Sequence, residues 1–127
     1  MKKFIEWIFA KIIVDNRKRF IQIKEREVYW CSIGENIGDE ENGKGEAFRR
    51  PVLIFKKFNN NIFWGIPMST KIKDNKYYVT VILRDVKQSV MISQLRLLDS
   101  RRLDQHIGYL KKADFLIIKD RIIDIIK

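Results

Sequence analysis

The chain of 127 residues has one cysteine, one histidine and two prolines, and each scarcity excludes a class of protein. With Cys31 alone, no disulfide forms within the chain, which indicates a reducing, cytoplasmic location. The sequence has no apolar run of about 18 residues, which excludes a transmembrane helix. His106 has no second histidine beside it, which excludes a two-histidine mechanism of RNA cleavage and a Cys/His zinc site. An enzyme with this composition is expected to work without a metal and without histidine.

The charge that is present is strongly one-sided. The chain has 26 Lys and Arg against 16 Asp and Glu, which gives a formal net charge of +10 and a pI near 9.8. Such a surplus attracts polyanions, and nucleic acid is the commonest of them, although an anionic membrane or an acidic protein is attracted as well. A hydrophobic content of 46% and an aromatic content of 12% argue against disorder and predict a single folded domain.

The first segment, MKKFIEWIFAKIIV, begins like a signal peptide, with a basic pair before an apolar run. Glu6 and Lys11 interrupt the run, and no cleavage site of small residues follows it. We therefore predict an amphipathic helix over residues 3–18. An interfacial membrane helix is the alternative interpretation.

From residue 26 onward the pattern changes to that of strands. In REVYWCSIG, successive side chains alternate between two faces, which predicts a strand. The next segment, GENIGDEENGKGEAF, holds four of the six glycines and five acidic residues, and we predict that it is a long functional loop. The predicted strands PVLIFKKF, IFWGIP, KYYVTVIL and SVMIS follow, with polar turns at 59–61 and 73–75. Trp30 and Trp64 occupy strand positions and are predicted to pack in the core, with base-stacking platforms as the alternative.

Helical patterns return after QLRLLDS. We predict one helix in RRLDQHIGYL, capped by Asp99 or Ser100 and carrying His106 on its surface, and an amphipathic helix in ADFLIIKDRIIDIIK. The predicted fold is mainly β with helices (α+β), a small antiparallel barrel. Residues 1–24 form a helical extension, 25–98 the barrel and 99–127 the C-terminal helices.

Two arginines stand at the entrance of one predicted strand. Arg49 and Arg50 directly precede Pro51, while Ser69 and Thr70 follow the next strand. A tight hairpin between the two strands brings these ends to the same edge of the sheet. Arginine's rigid fork and a hydroxyl can bind the oxygens of a phosphorane-like transition state, and RNA supplies its own 2′-OH as the nucleophile.

Three of these segments together resemble the MazF/PemK (Kid) family of toxin ribonucleases. They are REVYWCSIGENIGDE…GKGEAFRRPVLI, GIPMSTKIK and SQLRLLDSRRL, which occur in this order within residues 26–110. The resemblance implies an SH3-like barrel, a homodimer and metal-independent, sequence-selective cleavage of single-stranded mRNA, leaving a 2′,3′-cyclic phosphate and a 5′-OH. It also implies no cofactor, and an antitoxin partner whose acidic, disordered segment covers the RNA groove.

The resemblance also assigns residues. The family's arginine falls on Arg50, and its threonine falls on Ser69, with Thr70 as the alternative. Glu40 is implied as a general base or a loop anchor. Family members with an Asp and an Arg before Gln-x-Arg differ from this chain, which has MIS there, so the general base stays open. The expected RNA contacts are Gln94 and Arg96, together with the basic residues Arg49, Lys71 and Lys73 along the RNA path.

Three alternatives stand beside this interpretation. Arg50 is also explained as a surface arginine that pairs with Glu46 or Glu40. A CcdB-like toxin that binds DNA gyrase would use the same fold without cutting RNA. A degenerate relative would bind RNA and leave it intact.

Overall fold

The computed structural model describes residues 2–18, 22–45 and 48–127 and contains two helices and seven strands in this part of the chain. The predicted fold is confirmed: an antiparallel sheet is preceded by one helix and followed by another. The elements are α1 (Phe4–Asp15), β1 (Glu27–Ser32), β2 (Arg49–Lys57), β3 (Ile62–Ser69), β4 (Tyr78–Leu83), β5 (Val86–Met91), β6 (Arg96–Asp99), β7 (Leu103–Tyr109) and α2 (Lys112–Ile126).

The sheet curls into a half-barrel because β3 has more than two partners. The strand order is β4-β5-β3-β2-β1-β7, and β6 pairs with β3 outside this path. The first half of β3 binds β6, while its end, at Met68 and Ser69, binds β5. Register shifts in the β2–β3 and β1–β7 pairs add local bends, as bulges do.

The prediction of a helix in residues 101–110 is wrong. This segment instead has a 3₁₀ turn at Ser100–Arg102, where the Asp99 side chain accepts a hydrogen bond from the N–H of Arg101, and then β7, which pairs with β1. The edge of β1 supplies hydrogen-bond partners for this segment, and pairing with β1 outweighs the segment's local preference for a helix. His106 therefore lies on a strand, where its Nε2 is 3.0 Å from a carboxylate oxygen of the buried Glu27.

The central strands β1, β2 and β3 are mostly buried on both faces, so they contribute to two core clusters. On β1, Val28 packs into one cluster, and Tyr29 and Cys31 pack into the other. Ile118 of α2 completes the first cluster. The tryptophans do not follow the prediction: Trp30, 36% exposed, and Trp64 both reach the surface.

Helix α1 docks on the barrel through one aromatic side chain. Trp7 is 7% exposed, and its ring centroid lies 5.5 Å from that of Phe48. A Cβ at Gly34 would lie 2.2 Å from Cε2 of Trp7, so a residue without a side chain is needed there. The opposite face of α1 exposes several apolar side chains (Phe4, Ile5, Ile8, Phe9, Ile12 and Ile13). Within the described residues, neither helix has the length and apolar character needed to cross a bilayer.

Candidate active site

Arg50 is the most constrained basic residue at the sheet edge. It is 8% exposed, although it is the second residue of β2. Its Nε donates a hydrogen bond to the carbonyl oxygen of Asn42 at 2.8 Å, and its Nη2 lies 2.6 Å from Oε1 of Glu41. Its Nη1 donates to the carbonyl oxygen of Met68 at 3.5 Å. The loop before β2 and the end of β3 therefore hold the guanidinium from two sides.

The loop that reaches Arg50 is shaped by its own polar contacts. The backbone N–H of Asn36 donates to Oδ1 of Asn42 at 2.6 Å, and the Asn36 side-chain amide donates to the carbonyl of Glu41 at 2.7 Å. The N–H of Gly43 donates to the carbonyl of Gly34 at 2.8 Å. Gly34 has φ +87°, which favours glycine. These bonds fix Glu41 and Asn42 at the positions where they meet Arg50.

The hydroxyls of the PMST segment lie across a cleft from the two arginines. Because β2 and β3 are antiparallel, with Val52 opposite Pro67, the end of β3 returns to the start of β2. A cleft of about 350 Å³ is lined by residues of these ends and their neighbours (Trp30, Lys44, Gly45, Arg49, Arg50, Pro51, Met68, Ser69, Thr70 and Gln88). The structure thus brings the predicted arginines, serine and threonine together. Ser69 Oγ accepts a hydrogen bond from the N–H of Lys71 at 3.1 Å.

The two glutamates of the loop have different surroundings. Oε1 of Glu40 accepts a hydrogen bond from the N–H of Ile37 at 2.9 Å, a contact within the loop. Glu41 instead contacts Arg50, and its N–H donates to Oε1 of Gln94 at 3.2 Å. Sequence reasoning missed Glu41, since nothing in the pattern of two adjacent glutamates separates them.

A second cleft lies on the other side of the Arg50–Glu41 ion pair. It has a volume of about 400 Å³, and its polar lining includes Glu40, Glu41, Gln94 and Arg96. The predicted RNA contacts Gln94 and Arg96 are therefore brought together, but in this neighbouring cleft. Asp99, three residues after Arg96, is bound by Arg101.

The other basic residues predicted to contact RNA do not lie together in one cleft. Arg49 lies in the first cleft, with Nη1 2.8 Å from Oδ2 of Asp104 and its guanidinium carbon 5.7 Å from the centre of the Trp30 ring. Lys71 and Lys73 line neither cleft. Lys73 instead lies over the ring of Tyr78, 5.2 Å from its centre.

Arg102 is a half-buried arginine close to Arg96 and lines neither of the two clefts. Burial, and then the charge of Arg96, lowers the pKa of Arg102 from its ordinary value. Arg102 is held by the carbonyl of Ser32 at 3.1 Å and by the ring of Trp7.

The greater part of the chain matches one protein family. Residues 24–126 match the family model described as PemK-like, MazF-like toxin of type II toxin–antitoxin system, so that α1 lies outside the match. A search of curated proteins gave no significant match.

Several solved structures of MazF toxins have a similar fold. MazF (form I) from Deinococcus radiodurans is 17% identical with a TM-score of 0.70, covering 84% of this chain and 98% of that chain. The Mycobacterium tuberculosis toxin MazF-mt6 is 16% identical with a TM-score of 0.60, covering 78% and 94%. The MazE–MazF complex (form II) from D. radiodurans is 13% identical with a TM-score of 0.64, covering 84% and 97%. At such low identities, the matches show a shared fold.

Proposed function

The chain belongs to the PemK-like, MazF-like toxins of type II toxin–antitoxin systems, a family of endoribonucleases, and on this premise we propose that it cleaves single-stranded mRNA at selected sequences. The observation that carries the proposal is the position of Arg50, which is buried at a cleft that it shares with Ser69 and Thr70. The cleft offers a phosphate a fixed positive charge and hydroxyl donors. These are the groups that stabilise a pentacoordinate phosphorane.

The proposed reaction is an internal phosphoryl transfer. The 2′-oxygen forms a bond to phosphorus, the bond from phosphorus to the 5′-oxygen breaks, and the products carry a 2′,3′-cyclic phosphate and a 5′-hydroxyl. A proton leaves the 2′-OH and another reaches the 5′-oxygen. Because the RNA supplies the nucleophile, the protein provides charge stabilisation and proton transfer, and we propose that it does so without a metal ion.

Arg50 is the proposed stabiliser of the phosphorane. Its fork binds the non-bridging oxygens, and Ser69 or Thr70 donates a hydrogen bond to one of them. An arginine is a poor proton donor because it stays charged throughout the physiological range. Its role is therefore electrostatic.

Glu41 is the proposed proton acceptor. In the free protein its carboxylate binds Arg50 at 2.6 Å. A phosphate that takes this place on the guanidinium frees the carboxylate next to the reacting groups, where it can receive the 2′-OH proton. Glu40, whose carboxylate binds the loop backbone, is proposed as a loop anchor.

The partners follow from charge and from the family. A net charge of +10 favours both an RNA strand and an acidic antitoxin segment. The MazF of D. radiodurans has been crystallised with MazE, and we propose a corresponding antitoxin here that covers the basic clefts. We further propose a homodimer, a cytoplasmic location and RNA contacts by Arg49, Gln94 and Arg96.

The test is a cleavage assay on a long single-stranded RNA in excess EDTA. We expect discrete cuts with cyclic-phosphate and 5′-hydroxyl ends. Arg50→Ala should lower the rate by about 10²–10³-fold, the usual loss when an oxyanion-stabilising donor is removed. Arg84→Ala is the matched control, because Arg84 is an exposed arginine bound to the carbonyl of Ile107, away from the cleft. Full activity in Arg50→Ala would overturn the catalytic proposal, and RNA binding without cutting by the wild type would indicate a degenerate relative.

A further inference from the structure

Gln88 is a buried polar residue that lines the first cleft, the one that contains Arg50. It lies on β5 opposite Val81 and is only 6% exposed. Three buried side-chain polar atoms of the described residues lack a hydrogen-bond partner, and they belong to Ser32, Gln88 and Ser89. Of these three residues, Gln88 alone lines the cleft.

A buried acceptor without a donor is costly, which makes the Gln88 amide unusual in a free protein. Native structures pair most of their buried polar groups. An amide oxygen that stays unpaired in the free protein can accept a hydrogen bond from a bound ligand. Gln88 lines the cleft together with the exposed Trp30 and the cationic Arg49, so that a rotation of its buried amide is needed to bring Oε1 to the cleft.

The surroundings of Gln88 suit a nucleobase. The guanidinium of Arg49 lies 5.7 Å from the centre of the Trp30 ring, and both groups offer flat faces on which an unstacked base can lie. The cleft volume of about 350 Å³ is sufficient for a small planar ligand. A glutamine amide carries a donor and an acceptor side by side, as in its bidentate pairing with adenine.

We infer that Gln88 binds the nucleobase beside the scissile phosphate through an amino-bearing edge, that of adenine or cytosine, and so contributes to sequence selectivity. The unpaired Oε1 accepts a hydrogen bond from the exocyclic amino group, and the amide N–H₂ donates to the adjacent ring nitrogen. This inference rests on the proposed function, because it places the phosphate at Arg50 and Ser69 of the same cleft.

The experiment separates binding from cleavage. A random single-stranded pool with 2′-fluoro riboses keeps the phosphates and bases and lacks the attacking hydroxyl. The wild type, Gln88→Met and Gln105→Met are each used to select bound sequences from this pool. Methionine resembles glutamine in length and removes the amide, and Gln105 is an exposed glutamine on β7 that provides a matched control.

We expect the wild type and Gln105→Met to enrich one amino-bearing base at one position, by about 10- to 100-fold over the other bases. Gln88→Met should lose this enrichment. Enrichment of adenine or of cytosine identifies the base. The melting temperature is the second measurement: Gln88→Met should raise it by about 2–6 °C, because the free protein no longer buries an unpaired acceptor.

Unchanged base preference in Gln88→Met, no enrichment by the wild type, or a lower melting temperature in Gln88→Met would each overturn the inference. Cleavage of ordinary RNA by the same three proteins tests the proposed function separately. Cleavage with an unchanged preference in Gln88→Met rejects the role of Gln88 and supports the ribonuclease. If the wild type binds with a base preference but cuts nothing, and Gln88→Met loses that preference, the result supports base binding and rejects the ribonuclease.

Discussion

Replacing Trp7 by alanine should release the active-site loop while the barrel stays folded. Trp7 and Val14 are the buried residues of α1, and Trp7 packs on Gly34 and Phe48, which stand at the two ends of the loop. Lys2 adds contacts from its Nζ to two loop carbonyls, one of them that of Gly38 at 2.9 Å. The indole is therefore the main link between α1 and the loop that holds Arg50.

The magnitude follows from the buried area. A buried tryptophan removes about 150–250 Å² from water, which at about 25 cal/mol per Å² amounts to about 4–6 kcal/mol as an upper bound. Measured losses for core Trp→Ala substitutions are about 3–5 kcal/mol. A helix of 12 residues is marginal in isolation. The burial of Trp7 is therefore the main contribution to the docking of α1, and its loss should undock the helix.

The assay is amide hydrogen exchange in the loop. The N–H groups of Asn36 and Gly43 donate to acceptors within the loop. A loss of about 3 kcal/mol in the free energy of opening corresponds to roughly 100-fold faster exchange of these amides. Amides of β2 and β3 should keep their protection, since the core clusters of the barrel do not include Trp7.

The matched control is Ile5→Ala, on the same helix. Ile5 is 70% exposed, so its truncation should change the free energy of unfolding by less than about 0.5 kcal/mol. Equal exchange rates at Gly43 in Trp7→Ala and Ile5→Ala would refute the argument that Trp7 holds the loop. RNA cleavage should fall with loop protection, because this loop holds Arg50.

Three further predictions concern the barrel, the loop and pH. Gly65→Ala should destabilise the protein by about 1–3 kcal/mol in a urea titration, since its Cβ would lie within 3 Å of three core side chains; wild-type stability would contradict this. Glu41→Gln should slow single-turnover cleavage by about 10²–10⁴-fold, while Glu40→Gln should cost less than about tenfold; the reverse order would assign the proton transfer to Glu40. A hydrogen bond from Arg101 lowers the pKa of Asp99 below its ordinary 3.8. The stability that this pair provides is complete only well above that value, and it is lost as the pH falls through the lowered pKa. The difference in unfolding free energy between wild type and Asp99→Asn should therefore shrink from about pH 5 to pH 2. A constant difference would contradict the linkage.

Local sequence determined most of the strands and both helices. Turn residues at 59–61 and 73–75 and apolar runs between them specify a β-hairpin pattern, because turn chemistry and β-branched residues act over a few positions. The family motifs likewise indicated the meeting of Arg50 with Ser69 and Thr70. Any tight hairpin between β2 and β3 brings these positions together, so the prediction needed no tertiary information.

The tertiary structure decided what depends on distant neighbours. RRLDQHIGYL became a strand because the edge of β1 offered hydrogen bonds that a periodicity rule does not register. Glu41 rather than Glu40 meets Arg50 because the loop is folded by bonds among its own backbone and asparagines. The unpaired amide of Gln88 is visible only when burial and partners are known. Sequence thus specified the elements and the motif residues, while packing decided which side chain of each element reaches the cleft.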